Sequence, residues 1–249
     1  MIMLRRLCSH RSLTGLSVIS TGSLVPCHKI QKRSCGDFHS PSGVLPHASA
    51  RVLPGFVSEA EEESLVQECS KYVDHLDYQY DHWDGVIRGY RETEKSRWSP
   101  ENSAVVERMR RAAFGNDVTI RPRVHVLDLS ADGYIMPHVD SVKFCGDTIA
   151  GLSLLSDCVM RFKHEKEPEK MVDVFLPRLS LYVITGDARY LYTHEVLKAE
   201  ESVFRGTPVQ RGRRMSFICR QPVARPANQQ TVLPNLNSAF DAENKPVYS

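Results

Sequence analysis

The sequence predicts an α+β fold: two N-terminal helices supporting strands rolled into a barrel or jelly-roll, a double-stranded β-helix. Three observations carry this expectation. Two capped amphipathic segments lie in the first half of the chain, eight short apolar runs rich in β-branched residues follow Arg121, and Gly or Pro separates most of those runs. A chain of 249 residues has room for one sizeable core. Its hydrophobic fraction of 41% and charged fraction of 25% are those of an ordinary soluble protein. No stretch approaches the roughly 20 uninterrupted apolar residues that a membrane span needs.

Residues 1–36 carry Arg5, Arg6, Arg11, Lys29, Lys32 and Arg33, no acidic residue, and many Ser and Leu. That is the composition of a mitochondrial presequence, and it predicts a matrix protein. The apolar run from Leu13 to Val25 is too interrupted for a secretory signal; the plainer alternative is a tail with no address. Residues 37–50, with Pro41 and Pro46, read as a linker to a domain at 51–220. Ser58 and Glu61 form an S-x-x-E capping box that opens a helix to about Val73. A second helix opens at Ser99 with Pro100 in its first position and closes near Ala113, before Gly115. Between them, Asp77 to Trp98 mixes aromatics and charges without a period and takes no assignment. Strands are expected at 122–129, 133–139, 147–155, 158–164, 171–177, 179–185, 189–197 and 213–220. Residues 221–249, rich in Pro, Asn and Gln, read as a disordered tail.

The net charge of +2 divides unevenly: without the six basic residues of 1–36, 26 basic side chains face 30 acidic ones. A slightly acidic body lacks the broad basic field of a general nucleic-acid binder. Outside residues 1–36, Cys69, Cys145, Cys158 and Cys219 form no C-x-x-C pair, so packed thiols are expected rather than a disulfide framework or zinc site.

His-x-Asp occurs three times, at His75/Asp77, His82/Asp84 and His138/Asp140. Alone it is a weak signal. The third ends a predicted strand, where residues i and i+2 share a face, and several strands follow before His194. The spacing from Asp84 to His138 equals that from Asp140 to His194, but the earlier interval contains a capped helix rather than a run of strands. His138, Asp140 and His194 are therefore the candidate metal ligands and the catalytic set. Two imidazoles and a carboxylate on one face leave positions open, as in non-haem Fe(II) oxygenases; a catalytic zinc hydrolase could use the same ligands. The last strand favours the oxygenase. Arg214, Ser216, Ile218 and Arg220 share one of its faces, and a guanidinium there can grip a dicarboxylate through two points. Arg211 and Arg213 read as solvated.

These residues resemble the AlkB family of Fe(II)/2-oxoglutarate dioxygenases over about 50–220. The matching pieces are His138-Val-Asp140, Gly186-Asp-Ala-Arg189-Tyr-Leu-Tyr-Thr-His194, and Arg214 to Arg220. Tyr80-Asp-His-Trp-Asp84, Phe144-Cys-Gly146 and Arg91 to Trp98 are similar to mitochondrial members of the family. The resemblance implies Fe(II) on His138, Asp140 and His194, with 2-oxoglutarate on Tyr182, Arg214, Ser216 and Arg220. From the residues alone, Tyr182 is equally well a buried structural tyrosine. Two departures stand out. Where many members carry Asn-x-Tyr, this chain has Leu127-Asp128-Leu129, and two positions after the metal Asp, where DNA-repair members carry an acid that reads the base, it has Val142. Valine reads no base edge, so DNA repair is disfavoured. The leading expectation is a protein hydroxylase, with the chain itself among candidate substrates and, by resemblance, a role in mitochondrial metabolism and cell-death control. The alternatives are a mitochondrial RNA demethylase, with phosphate contacts from Arg91, Lys95, Arg97 and His82, and a slow 2-oxoglutarate or iron sensor acting through partners.

Overall fold

The structure is a computed structural model that describes residues 38–39, 49–81, 85–115 and 123–223. Residues 1–36, His82, Asp84 and most of 221–249 lie outside the described residues. In chain order the elements are β1 (Phe38–His39), β2 (Ala50–Leu53), α1 (Glu59–Val73), β3 (Ile87–Lys95), α2 (Pro100–Phe114), β4 (Val124–His138), β5 (Ile149–Leu154), β6 (Cys158–His164), β7 (Met171–Leu176), β8 (Ser180–Ile184), α3 (Gly186–Tyr190), β9 (Tyr192–Val196), a 3-10 turn at Ala199–Glu201, β10 (Val203–Phe204), β11 (Thr207–Pro208) and β12 (Arg214–Arg220).

Both expected helices form where their caps place them. Glu61 N donates to Ser58 Oγ, and Ser58 N donates to Glu61 Oε2 at 2.9 Å, closing the capping box. The same Glu61 carboxylate takes Arg108 of α2 at 2.9 Å; that hydrogen bond lowers its pKa to about 2 against the opposing effect of burial. At α2, Ser99 Oγ accepts from Asn102 N and Pro100 occupies the first turn.

Ten of the described strands form one antiparallel sheet along the path β1-β7-β6-β9-β4-β12-β5-β8-β2, with β3 on β4 as a branch, and β10 and β11 pair separately. β4 belongs to both halves of the roll. Its first part pairs with β12 from His125 to Leu129, and its last part pairs with β9 at Ile135 and His138. The strand must bend between these parts, and the bend is built from glycine. Gly89 of β3 sits at φ +62° beside the register shift, and a Cβ there would lie 2.6 Å from Ser130 Oγ. A Cβ on Gly133 would lie 2.5 Å from Gly89 O. The strands expected at 122–129 and 133–139 are one strand, Val124–His138, with residue 122 outside the described residues, because Gly133 marks a bulge rather than an end.

Period-2 alternation explains why the β12-β5-β8 sheet is buried on both faces. Ala150, Leu152, Leu154, Leu181, Val183, Met215, Phe217 and Cys219 face outward and pack with Leu65, Cys69, Val105 and Met109 of α1 and α2. Their neighbours Ile149, Tyr182, Ile184 and Ile218 face inward and join Leu127, Leu129, Met160 and Phe162. On the other half, Val159 and Phe175 are covered by Leu197 and Phe204, the latter on the β10–β11 hairpin.

Candidate metal centre and cosubstrate pocket

His138 ends β4 directly opposite His194 of β9, with the ring centroids 4.3 Å apart. Asp140 follows two residues later, and its Oδ2 lies 3.7 Å from His194 Nε2. One donor atom from each of the three falls within 4.8 Å of the others, a grouping no other His, Cys, Asp or Glu set achieves among the described residues. His75 and Asp77 are not part of such a group. His138 Nδ1 lies 3.0 Å from Met136 O; a carbonyl only accepts, so Nδ1 carries the proton and Nε2 keeps its lone pair for a metal. Burial, followed by the neighbouring His138, lowers the His194 pKa to about 3, so this imidazole is neutral at working pH. Burial pushes the Asp140 carboxyl up, but Arg220, His194, His138 and Arg189 outweigh it and hold the pKa below its ordinary value. The set is two imidazoles and one carboxylate, which fits a divalent metal of the Fe(II) class.

The loop that presents Asp140 is held from behind by Arg189 of α3. This buried guanidinium donates to the carbonyls of Asp140 at 2.8 Å, Cys145 at 3.0 Å and Gly146 at 3.1 Å. Arg220 reaches Asp140 from the opposite side, Nε to Oδ1 at 3.2 Å, and its Nη1 lies 3.2 Å from His125 Nδ1.

The pocket beside this centre is lined by Tyr182, Arg214, Ser216 and Arg220, with Ile149, Ile184 and Ile218 between them. Arg214 is 1% exposed. Its Nε donates to Ser153 Oγ at 3.1 Å and its Nη1 lies 3.4 Å from Ser216 Oγ, while Nη2 is buried with no partner. A buried guanidinium without a carboxylate is costly, and a bound dicarboxylate would satisfy it. Tyr182 is also buried, and burial pushes its phenol pKa up, so it remains a donor. Gly151 makes room for it: a Cβ there would lie 2.4 Å from Tyr182 Oη. The residues present therefore fit a small dicarboxylate held next to a metal.

Several basic residues lie elsewhere than expected. Arg213 is only partly solvated; it pairs with Asp128 and Asp74, both at 2.9 Å. Arg211 is half-buried and donates to the Leu197 and Gly133 carbonyls. Arg91 is bound to Asp128 at 2.8 Å and to Asp74 at 2.6 Å, and Lys95 to Glu68 at 3.0 Å, so neither is free to meet a phosphate. His82 lies outside the described residues. The reading of the sequence missed His125, which faces the pocket two residues before Leu127 and takes Glu92 on its Nε2 at 2.7 Å. Its place on the inner face follows from the same alternation that puts Leu127 and Leu129 there.

A family model described as the 2OG-Fe(II) oxygenase superfamily matches residues 78–220. The mitochondrial alpha-ketoglutarate-dependent dioxygenase alkB homolog 7 of Bos taurus is 54% identical over 172 residues, 69% of this chain and 78% of that protein. Its Mus musculus counterpart is 53% identical over 171 residues, 69% of this chain and 77% of its own. The Mus musculus tRNA (carboxymethyluridine(34)-5-O)-methyltransferase ALKBH8 is 33% identical over 145 residues, 51% of this chain and 21% of that protein. This likeness extends over the metal centre and the arginine strand alike, and the chain belongs to the 2OG-Fe(II) oxygenase superfamily, in its AlkB family, as a dioxygenase that uses Fe(II) and 2-oxoglutarate.

Proposed function

We propose that this dioxygenase works in the mitochondrial matrix and hydroxylates a protein, the chain itself being one candidate substrate. In this reading residues 1–36 are a removable presequence, 51–220 the catalytic domain and 221–249 a tail. His138, Asp140 and His194 hold the iron. Arg214 grips the distal carboxylate of 2-oxoglutarate, Ser216 and Tyr182 add hydroxyl contacts, and Arg220, which lines the same pocket, contacts the cosubstrate as well as orienting Asp140. When bound, the iron and 2-oxoglutarate supply the oxidising chemistry, which converts the cosubstrate and dioxygen to succinate, carbon dioxide and an oxygenated substrate. Ile149, Ile184 and Ile218 give the pocket an apolar lining between the polar residues.

The observation that carries the protein-substrate reading is the exposure of large apolar side chains near the candidate metal ligands in sequence. Val142 is 61% exposed, Phe144 59% and Met136 42%, and all three lie close in sequence to the candidate metal ligands. Exposed apolar side chains suit contact with a polypeptide, and none of these three can read a base edge. RNA demethylation is the second reading, favoured by the tRNA substrate in the name of the Mus musculus relative. It loses the phosphate contacts assigned to Arg91 and Lys95, which are engaged in ion pairs. A slow sensor acting in metabolism or cell-death control is the third. The deciding experiment incubates iron-loaded protein with 2-oxoglutarate and separate pools of mitochondrial peptides and RNA. Gain of one oxygen on a peptide supports the proposal; methyl loss from RNA without peptide oxidation replaces it with the second reading, and neither product favours the third.

A further inference from the structure

We infer that His125, backed by Glu92, is a positioning residue that holds the Arg220 guanidinium against Asp140; this rests on the metal assignment proposed above. The inner face of the first part of β4 offers His125, Leu127 and Leu129, so His125 is its only polar side chain. It stands across from Ile218 of β12, one inward position from Arg220. A single bond from Arg220 Nε to Asp140 Oδ1 at 3.2 Å would leave the guanidinium plane free to turn about that contact. The second anchor, Nη1 to His125 Nδ1 at 3.2 Å, removes this freedom.

The chemistry of the anchor is constrained from both sides. A guanidinium can only donate, so His125 Nδ1 must accept, and the ring proton must sit on Nε2. Glu92 Oε2 lies 2.7 Å from that nitrogen and accepts the proton's hydrogen bond, which selects this tautomer. The line Glu92, His125, Arg220, Asp140 therefore runs across β3, β4 and β12 to a metal ligand, with every role assigned. A carboxylate in place of the imidazole would also fix Arg220, but it would neutralise the guanidinium and compete with Asp140 for it. A neutral acceptor fixes the geometry and leaves the positive charge facing Asp140.

The test is Mn(II) affinity, followed by the loss of the free-ion paramagnetic resonance signal, without turnover. His125→Phe keeps the ring but removes both nitrogens; loss of a direct outer partner of a metal ligand weakens metal binding about 10- to 100-fold, and because His125 acts one residue further out, through Arg220, a loss of up to about 10-fold is expected. His125→Asn retains an acceptor near the Nδ1 position and recovers most of the affinity. Equal affinity of the wild type and His125→Phe overturns the inference, and so does failure of His125→Asn to recover a loss, which would point to packing alone. Should His125→Phe not fold, the decision passes to Glu92→Ala. That change frees the tautomer, so weakened Mn(II) binding supports the role and unchanged binding overturns it. A wild type that binds no Mn(II), with His138→Ala no different, instead removes the metal assignment on which the inference rests.

Discussion

Replacing Arg214 with Lys separates the charge of this residue from its geometry. Its guanidinium has Ser153 Oγ at 3.1 Å, Ser216 Oγ at 3.4 Å, and a buried Nη2 with no partner. A lysine keeps the positive charge but cannot meet a carboxylate through two parallel N–H groups. The lost charge-assisted bonds cost on the order of 1.5–3 kcal/mol, roughly a ten- to hundredfold weaker affinity for 2-oxoglutarate. The assay is an anaerobic 2-oxoglutarate titration of the iron-loaded protein, read by its charge-transfer absorbance. A thermal measurement gives an independent check. At 100 times its Kd the cosubstrate stabilises the folded protein by about 2.7 kcal/mol, and a tenfold weaker Kd at the same concentration leaves about 1.4 kcal/mol. Iron affinity without cosubstrate stays unchanged, because Arg214 lies on β12 and bonds none of the three candidate ligands. Equal 2-oxoglutarate affinity in both proteins would refute the reasoning and take Arg214 out of the cosubstrate site.

His138→Ala and Asp140→Ala each abolish Fe(II) binding, whereas His75→Ala leaves it intact; the reverse pattern in a metal titration would void the ligand assignment. The metal-free protein loses stability as pH falls from about 6.5 toward 3, because the unfolded chain binds a proton at His194 that the folded chain, with a pKa of about 3, refuses. Melting temperatures across that window should fall less steeply in His194→Phe. Deleting residues 1–36 yields a folded protein that stays in the cytosol when expressed in cells, and unchanged import of the truncated chain would count against a presequence.

Alternation made the double sheet readable from the sequence because most of its strands bury apolar side chains on both faces. Cys158 to His164 alternates, Met171 to Leu176 is apolar but for Asp173, and turn residues bound them. The same rule hid β3. Ile87 to Lys95 carries Arg91 and Lys95 at buried positions, paired with Asp128, Asp74 and Glu68, which lie elsewhere in the sequence. A strand buried by ion pairs shows no apolar period, so its place beside β4 emerges only when the partners are brought together. The site divides in the same way. His138, Asp140, His194 and Arg214 stood out because each lies on a predicted strand or at its end, with spacing set by that strand. Arg189 entered only as a motif residue without a role and His125 not at all, since their work depends on what faces them: three carbonyls of the Asp140 loop in one case, Arg220 and Glu92 in the other. Residues that could touch the ions and carboxylates are written in strand periodicity. Those that hold such residues in place are written in the closure of the roll, where β4 passes from one half to the other at Gly133 and brings His125 beneath Arg220 at one end and His138 opposite His194 at the other.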